Sequence, residues 1–89
     1  MDQEGAARIL EDMLHSMVTA LVDDEDNINI SVISSGTTVV FDVDVAKEDV
    51  GKLIGREGKT AGALRHILGA SSAKLGVRSI LSIPDKKSE

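Results

Sequence analysis

Eighty-nine residues, 42% of them hydrophobic, suffice for one folded domain with a modest core and not for two. The absence of cysteine excludes a disulfide framework and a thiolate metal site, a composition that suits the cytoplasm. The net charge of −5 is unevenly held: residues 1–51 carry two basic and twelve acidic side chains, whereas residues 52–78 carry six basic ones against Glu57 alone, so a polyanion could still dock on the second half.

Residues 3–22 place apolar pairs every four positions (Ile9/Leu10, Met13/Leu14, Met17/Val18, Leu21/Val22), which predicts an amphipathic helix with one broad buried stripe. The acidic run Asp23 to Asp26 opposes the helix dipole and ends it. Ile28, Ile30 and Val32 alternate with polar residues as a half-buried strand requires, and Ser34-Ser35-Gly36 reads as a hairpin turn. A second strand, with Val39, Phe41, Val43 and Val45 on one face, pairs with it antiparallel because the connection is short. Lys47-Glu48-Asp49 then opens a short helix through Val50, Leu53 and Ile54 that stops at Gly55.

From Lys59 a longer helix runs to about Leu75, with Ala61, Leu64, Leu68, Ser71 and Leu75 along one side. Its opposite side gathers Gly62, Ala63, Gly69, Ala70 and Ala73, and such small residues point to close packing, either on this chain's own sheet or against a second helix. Gly76 caps the helix, Val77, Leu81 and Ile83 mark a last strand, and Pro84 closes a single domain over 1–84 ahead of a polar tail at 85–89. No stretch has the roughly 18 consecutive apolar residues of a membrane span, and no basic, apolar leader opens the chain.

Catalysis finds little support. Gly58-Lys59-Thr60 matches the end of a nucleotide-triphosphate loop, but Leu53 stands where that motif needs glycine. Counted from Asp23 as first ligand, a calcium loop would need glycine and glutamate where Ile28 and Ser34 lie. His15 and His66 are distant in sequence and read as surface or boundary residues, and no serine occupies a nucleophile turn. The expectation is a non-enzyme without metal or cofactor.

What remains is Gly55-Arg56-Glu57-Gly58. Two glycines three apart turn the backbone sharply and expose its N–H groups at the start of a helix, where the dipole favours an anion. The apolar pair Leu53-Ile54 precedes the turn, and Lys52, Arg56 and Lys59 surround it. Alone, G-x-x-G is weak and also fits an ordinary helix–helix turn. Two flanking helices, an apolar entry and a basic surround make it more specific.

Val50 through Ile67 resembles the nucleic-acid-binding core of a KH domain, whose G-x-x-G loop clamps about four single-stranded nucleotides. The α-β-β-α-α-β order is similar to the type II arrangement, and size and layout are similar to the small bacterial KhpA-type proteins. The resemblance implies an α/β (α+β) fold, a three-stranded sheet with three helices packed on one face. It implies that Gly55, Arg56, Glu57 and Gly58 clamp the backbone while Leu53 and Ile54 floor the groove; Lys52, Lys59 and Arg65 are added on electrostatic grounds. Glu57 sets a carboxylate in a loop meant to meet phosphates and is expected to point away or to lower affinity. With Phe41 the lone aromatic residue, stacking platforms of other RNA-binding folds are excluded. The implied function is non-catalytic binding of single-stranded RNA, as an RNA chaperone or post-transcriptional regulator in a bacterial cytoplasm, off the membrane. The alternative is a protein-interaction module, pairing as a homodimer or with a larger KH-containing partner of the Jag type, with RNA contact secondary.

Overall fold

The computed structural model describes residues 2–84; the polar tail expected at 85–89 lies outside the described residues. Helix α1 spans Gln3–Leu21 and starts where the Asp2 carboxylate accepts the Gly5 N–H at 2.7 Å. Ala6, Leu10, Leu14 and Val18, four residues apart, form its buried stripe. Of each apolar pair noted in the sequence, one member is therefore fully buried, while its partner (Met13 or Met17, for example) packs at the margin and Ile9 is exposed.

Strands β1 (Asn29–Ser35) and β2 (Thr38–Asp44) form an antiparallel hairpin whose register runs without a bulge from Asn29↔Asp44 to Ser35↔Thr38. The turn falls on Gly36 and Thr37, one residue later than the sequence suggests, because Ser34 and Ser35 continue the ladder and Gly36 supplies the positive φ of +59°. β2 alternates with perfect regularity: Val39, Phe41 and Val43 are buried and their neighbours half-buried.

The chain then leaves the sheet through a 3-10 turn at Lys47–Asp49, helix α2 (Val50–Ile54), a second such turn at Arg56–Gly58 and helix α3 (Lys59–Leu75). It returns as β3 (Arg78–Ser82), parallel to β2, so the sheet order is β1-β2-β3 with β2 central. All three helices contribute to one core with the inner face of the sheet, which agrees with the expected α-β-β-α-α-β layout. The other sheet face stays open, and across it Ile33, Val40 and Ile80 form an apolar row in register.

The two sides of α3 refine the sequence reading. Ser71 is half-buried against Met13 of α1, and next to it Ser72 is fully buried with Ala61, Leu64 and Leu68. Its hydroxyl donates to the Leu68 carbonyl at 2.6 Å and shares a hydrogen bond with Ser79 Oγ at 2.7 Å, so the polar group is satisfied where it is buried. The small residues Gly62, Ala63, Gly69, Ala70 and Ala73 face solvent, not the sheet, and a Cβ added at Gly62 or Gly69 would meet nothing within 4 Å. At the end of α3 the Val77 N–H reaches Ser72 O and the Gly76 N–H reaches Ala73 O, a Schellman closure that turns the chain into β3.

Candidate nucleic-acid interface

α2 is one and a half turns long, and its two apolar residues diverge. Leu53 is fully buried in the core, whereas Ile54, one step of 100° further round, is half-exposed beside the loop. Leu53 therefore supports the loop from beneath and, contrary to the sequence expectation, presents no groove surface. The chain leaves α2 with Gly55 at φ 76°, ψ 174°, a conformation essentially reserved for glycine. A Cβ there would lie 2.8 Å from the Thr60 backbone N and closer still to the Thr60 side chain.

Glu57 (φ 58°, ψ 24°) and Gly58 (φ 75°, ψ 12°) are left-handed. Turns of this kind can aim main-chain N–H groups to one side and make a concavity that suits an anion. The Gly58 N–H makes a loose 3.2 Å bond to Gly55 O, and no side chain caps the α3 N-terminus. The loop thus offers main-chain donors and a positive helix end to an incoming oxyanion.

The side chains divide. Arg56 is exposed and has no ion-pair partner among the described residues. Glu57 extends into solvent toward Lys59, with Oε1 and Nζ 3.9 Å apart and both side chains over three-quarters exposed, so the pair is loose and readily exchanged. Lys52 is engaged elsewhere: its Nζ lies 3.1 Å from Asp49 Oδ1 and 3.5 Å from Asp23 Oδ2, and it donates to Glu48 O at 3.4 Å. Arg65 donates from Nε and Nη2 to the Leu81 carbonyl at 3.4 and 3.3 Å, bridging α3 to the outer edge of β3. Beside it lies a hollow of about 220 Å³ lined by Arg65, Leu68, Ser79, Ile80 and Leu81. The β3 residues in that lining carried no signal in the sequence beyond strand alternation.

Asp49 is the residue that sequence reasoning missed. Read only as a helix-opening acid, it is 2% exposed and accepts the Asp24 N–H at 2.9 Å, tying the connector after α1 to the start of α2. The Asp24 N–H, opposed by burial and joined by the Lys52 ammonium, holds its carboxyl below the ordinary value of 3.8. The hydrogen bond to Asp49, opposed by desolvation and aided by Asp23, holds Lys52 above 10.5. A lowered carboxyl contributes stability that is complete above pH 3.8 and is lost as pH falls through its folded value; a raised ammonium contributes below 10.5 and loses it as pH rises through its own. Asp49→Asn is accordingly expected to unfold more readily in urea at pH 7, and its deficit relative to wild type to shrink as the pH drops below 3.8. A deficit that stays constant down to pH 2 would show that ionisation of Asp49 adds nothing.

A short helix, a G-x-x-G turn and a second helix, set between a central strand and a parallel edge strand with a helix and strand ahead of them, define a KH domain of type II. The family profile described as "KhpA/KhpB, KH domain" matches residues 11–83. The chain is also similar to the RNA-binding protein KhpA of Borreliella burgdorferi, with 39% identity over 83% of this chain and 90% of that protein. KhpA proteins of Aquifex aeolicus (38% identity, 83% and 94% covered) and Chlamydia pneumoniae (32%, 88% and 100%) are likewise similar. The chain belongs to the KhpA/KhpB family of KH-domain proteins. Among the described residues no helix is long and apolar enough to cross a membrane.

Proposed function

We propose that this protein binds single-stranded RNA without catalysis, in the bacterial cytoplasm, as an RNA chaperone or post-transcriptional regulator. The observation that carries the reading is the Gly55–Gly58 turn: a helix start that no side chain caps and an Arg56 guanidinium with no ion-pair partner among the described residues meet on one exposed loop. A phosphate of the RNA backbone lies against Gly55, Arg56, Glu57 and Gly58, with Lys59 released from Glu57 to join it. Bases rest on Ile54 and extend toward Arg65 and the hollow at the β3 edge, while Leu53 and Lys52 hold the loop from behind. The names of its relatives as RNA-binding proteins support RNA as the ligand. About three neutralised phosphates give a log–log salt slope near −2 for a single strand.

The test is a titration of labelled single-stranded RNA into wild type and an Arg56→Asp, Glu57→Asp double variant. Aspartate tolerates the left-handed angles at position 57, so the backbone is kept while the loop becomes doubly acidic. Folded variant is expected to bind at least about tenfold more weakly, the scale of one lost guanidinium–phosphate contact together with a carboxylate put in its place. Equal binding by both proteins would place the RNA elsewhere.

A second reading rests on an exposed surface of α3. The small-residue face of α3 is bare, and Ile67 on the same helix is 45% exposed, so a second helix could approach closely. This surface suits a homodimer, or a heterodimer with a larger KH-containing partner of the Jag type, alongside RNA binding.

A further inference from the structure

β3 forms the sheet edge next to α3, and one charged side chain occupies that edge. The Arg78 N–H reaches the Thr37 carbonyl at 2.9 Å, so Arg78, Ile80 and Ser82 turn their main-chain groups toward β2. Ser79 and Leu81 turn theirs outward. Arg65, from α3, donates from Nε and Nη2 to the outward Leu81 carbonyl at 3.4 and 3.3 Å. Both distances exceed the about 2.7–3.2 Å of a firm N–H···O bond, so the arm is aimed without being locked. Among the described residues no carboxylate pairs with it. The bonds to Leu81 use two of a guanidinium's five N–H groups, those on the Nε side of the fork. The end-on pair, one hydrogen on Nη1 and one on Nη2, is left directed away from Leu81.

Arg65 borders the hollow of about 220 Å³ at this edge. The hollow is smaller than the roughly 300–1,000 Å³ of a drug-sized site, a size that admits a single ring system. Leu68 and Leu81 form its floor, and Ile80, 46% exposed, supplies an apolar wall for the face of a base. The Ser79 hydroxyl is engaged with Ser72 Oγ, and the Leu81 carbonyl is taken by Arg65. At the Leu81 end the hollow therefore donates hydrogen bonds and does not accept them. Arg65 stands seven residues past Gly58, roughly 10 Å along α3. A base seated here belongs to a neighbour of the nucleotide whose phosphate meets the loop.

We propose that Arg65 is the specificity-determining residue of the RNA site and that it selects guanine, an inference that rests on the reading of this protein as a single-stranded RNA binder. Guanine presents two adjacent acceptors, O6 and N7, and a guanidinium meets both with parallel hydrogen bonds. Adenine has the same ring size but sets its N6 amino group where guanine has O6. The free end of Arg65 then finds one acceptor and faces one donor. A backbone phosphate is the other partner an arginine takes, and it carries no sequence information. The surroundings favour the base: a phosphate here would lose water against Ile80 and Leu81, whereas the face of a purine is apolar.

The test is a fluorescence-anisotropy titration of the full chain with labelled adenosine strands of about six nucleotides, little longer than the about four that a G-x-x-G loop holds. Wild type is expected to bind a strand with one central guanosine at least about fivefold more tightly than the all-adenosine strand, the lower end of what one bidentate contact discriminates. Inosine, which keeps O6 and N7, should match guanosine, and 7-deazaguanosine, which lacks N7, should lose most of the gain. Arg65→Gln replaces the fork with one donor and one acceptor, the complement of adenine, and is expected to abolish or reverse the preference. A general loss of affinity in this variant affects all strands alike and cancels in the ratio. Should Arg65→Gln fail to fold, the wild-type series decides: equal binding of guanosine and 7-deazaguanosine strands overturns the proposal. A wild type that binds guanosine and adenosine strands alike also overturns it and leaves RNA binding standing, as does a guanine preference that survives in folded Arg65→Gln. A wild type that binds none of the strands overturns the RNA reading itself, and this proposal with it.

Discussion

Gly55→Ala is expected to abolish most RNA binding, whereas Gly58→Ala, three residues on, should retain much of it. Both glycines have positive φ, so a glycine-for-flexibility argument does not separate them. Space and ψ do. At Gly58 the angles are left-handed helical, the added Cβ meets nothing within 4 Å, and the cost is about 1–2 kcal/mol. At Gly55 the ψ of 174° puts the residue in a region that side chains scarcely enter, worth up to about 3 kcal/mol. The Cβ would also press on the Thr60 main-chain nitrogen, which cannot move aside as a side chain could, because it belongs to the first turn of α3. The chain escapes by rotating the loop, and rotation disperses the N–H groups that face the phosphate. RNA titration of the two variants, with urea unfolding of each, separates these outcomes. Equal binding losses for both would mean that loop flexibility, not this particular backbone path, holds the ligand.

The sequence carried the fold because the elements that build it obey simple periods. Four-residue spacing in α1 and strict alternation from Val39 to Val45 leave few other ways to bury those side chains, and Gly55 and Gly58 mark a turn that L-residues adopt reluctantly. What escaped was set by neighbours distant in the chain. Asp49 and Lys52 look like surface charges until the connector at Asp23 and Asp24 folds back beside them. Leu53 and Ile54 are equally apolar, and only the orientation of α2 decides that one is core and the other loop margin. The small residues of α3 suggested close packing, and local pattern could not say that the sheet lies on the opposite side of the helix. Ser72 is more fully buried than Ser71 because Ser79 arrives from β3 to meet its hydroxyl.

Phe41→Ala is expected to have the largest effect on stability and a small one on RNA binding. Phe41 is 0% exposed at the middle of the central strand, paired with Val32 on one side and Leu81 on the other. It is the largest of the fully buried side chains, and truncation leaves a cavity in a layer where both neighbouring strands are held by their own ladders and cannot close in. Such a change costs about 3–5 kcal/mol, a large part of the 5–15 kcal/mol by which small domains are stable. A midpoint lower by about 15 °C or more follows for a chain of this size. The loop's path, however, is set by Gly55 and Gly58, and its approach by the Asp49–Asp24 bond, and none of these residues belongs to the core cluster that holds Phe41. Apparent affinity falls only by the fraction of molecules unfolded, so at 25 °C the variant should bind RNA within about twofold of wild type as long as about 1 kcal/mol of stability remains. Gly55→Ala and Phe41→Ala thus form a crossed pair, one losing binding with partial loss of stability and the other the reverse. Calorimetry and RNA titration on the same two samples check it: a Phe41→Ala protein that is well folded at 25 °C yet does not bind would show that the loop depends on the centre of the sheet.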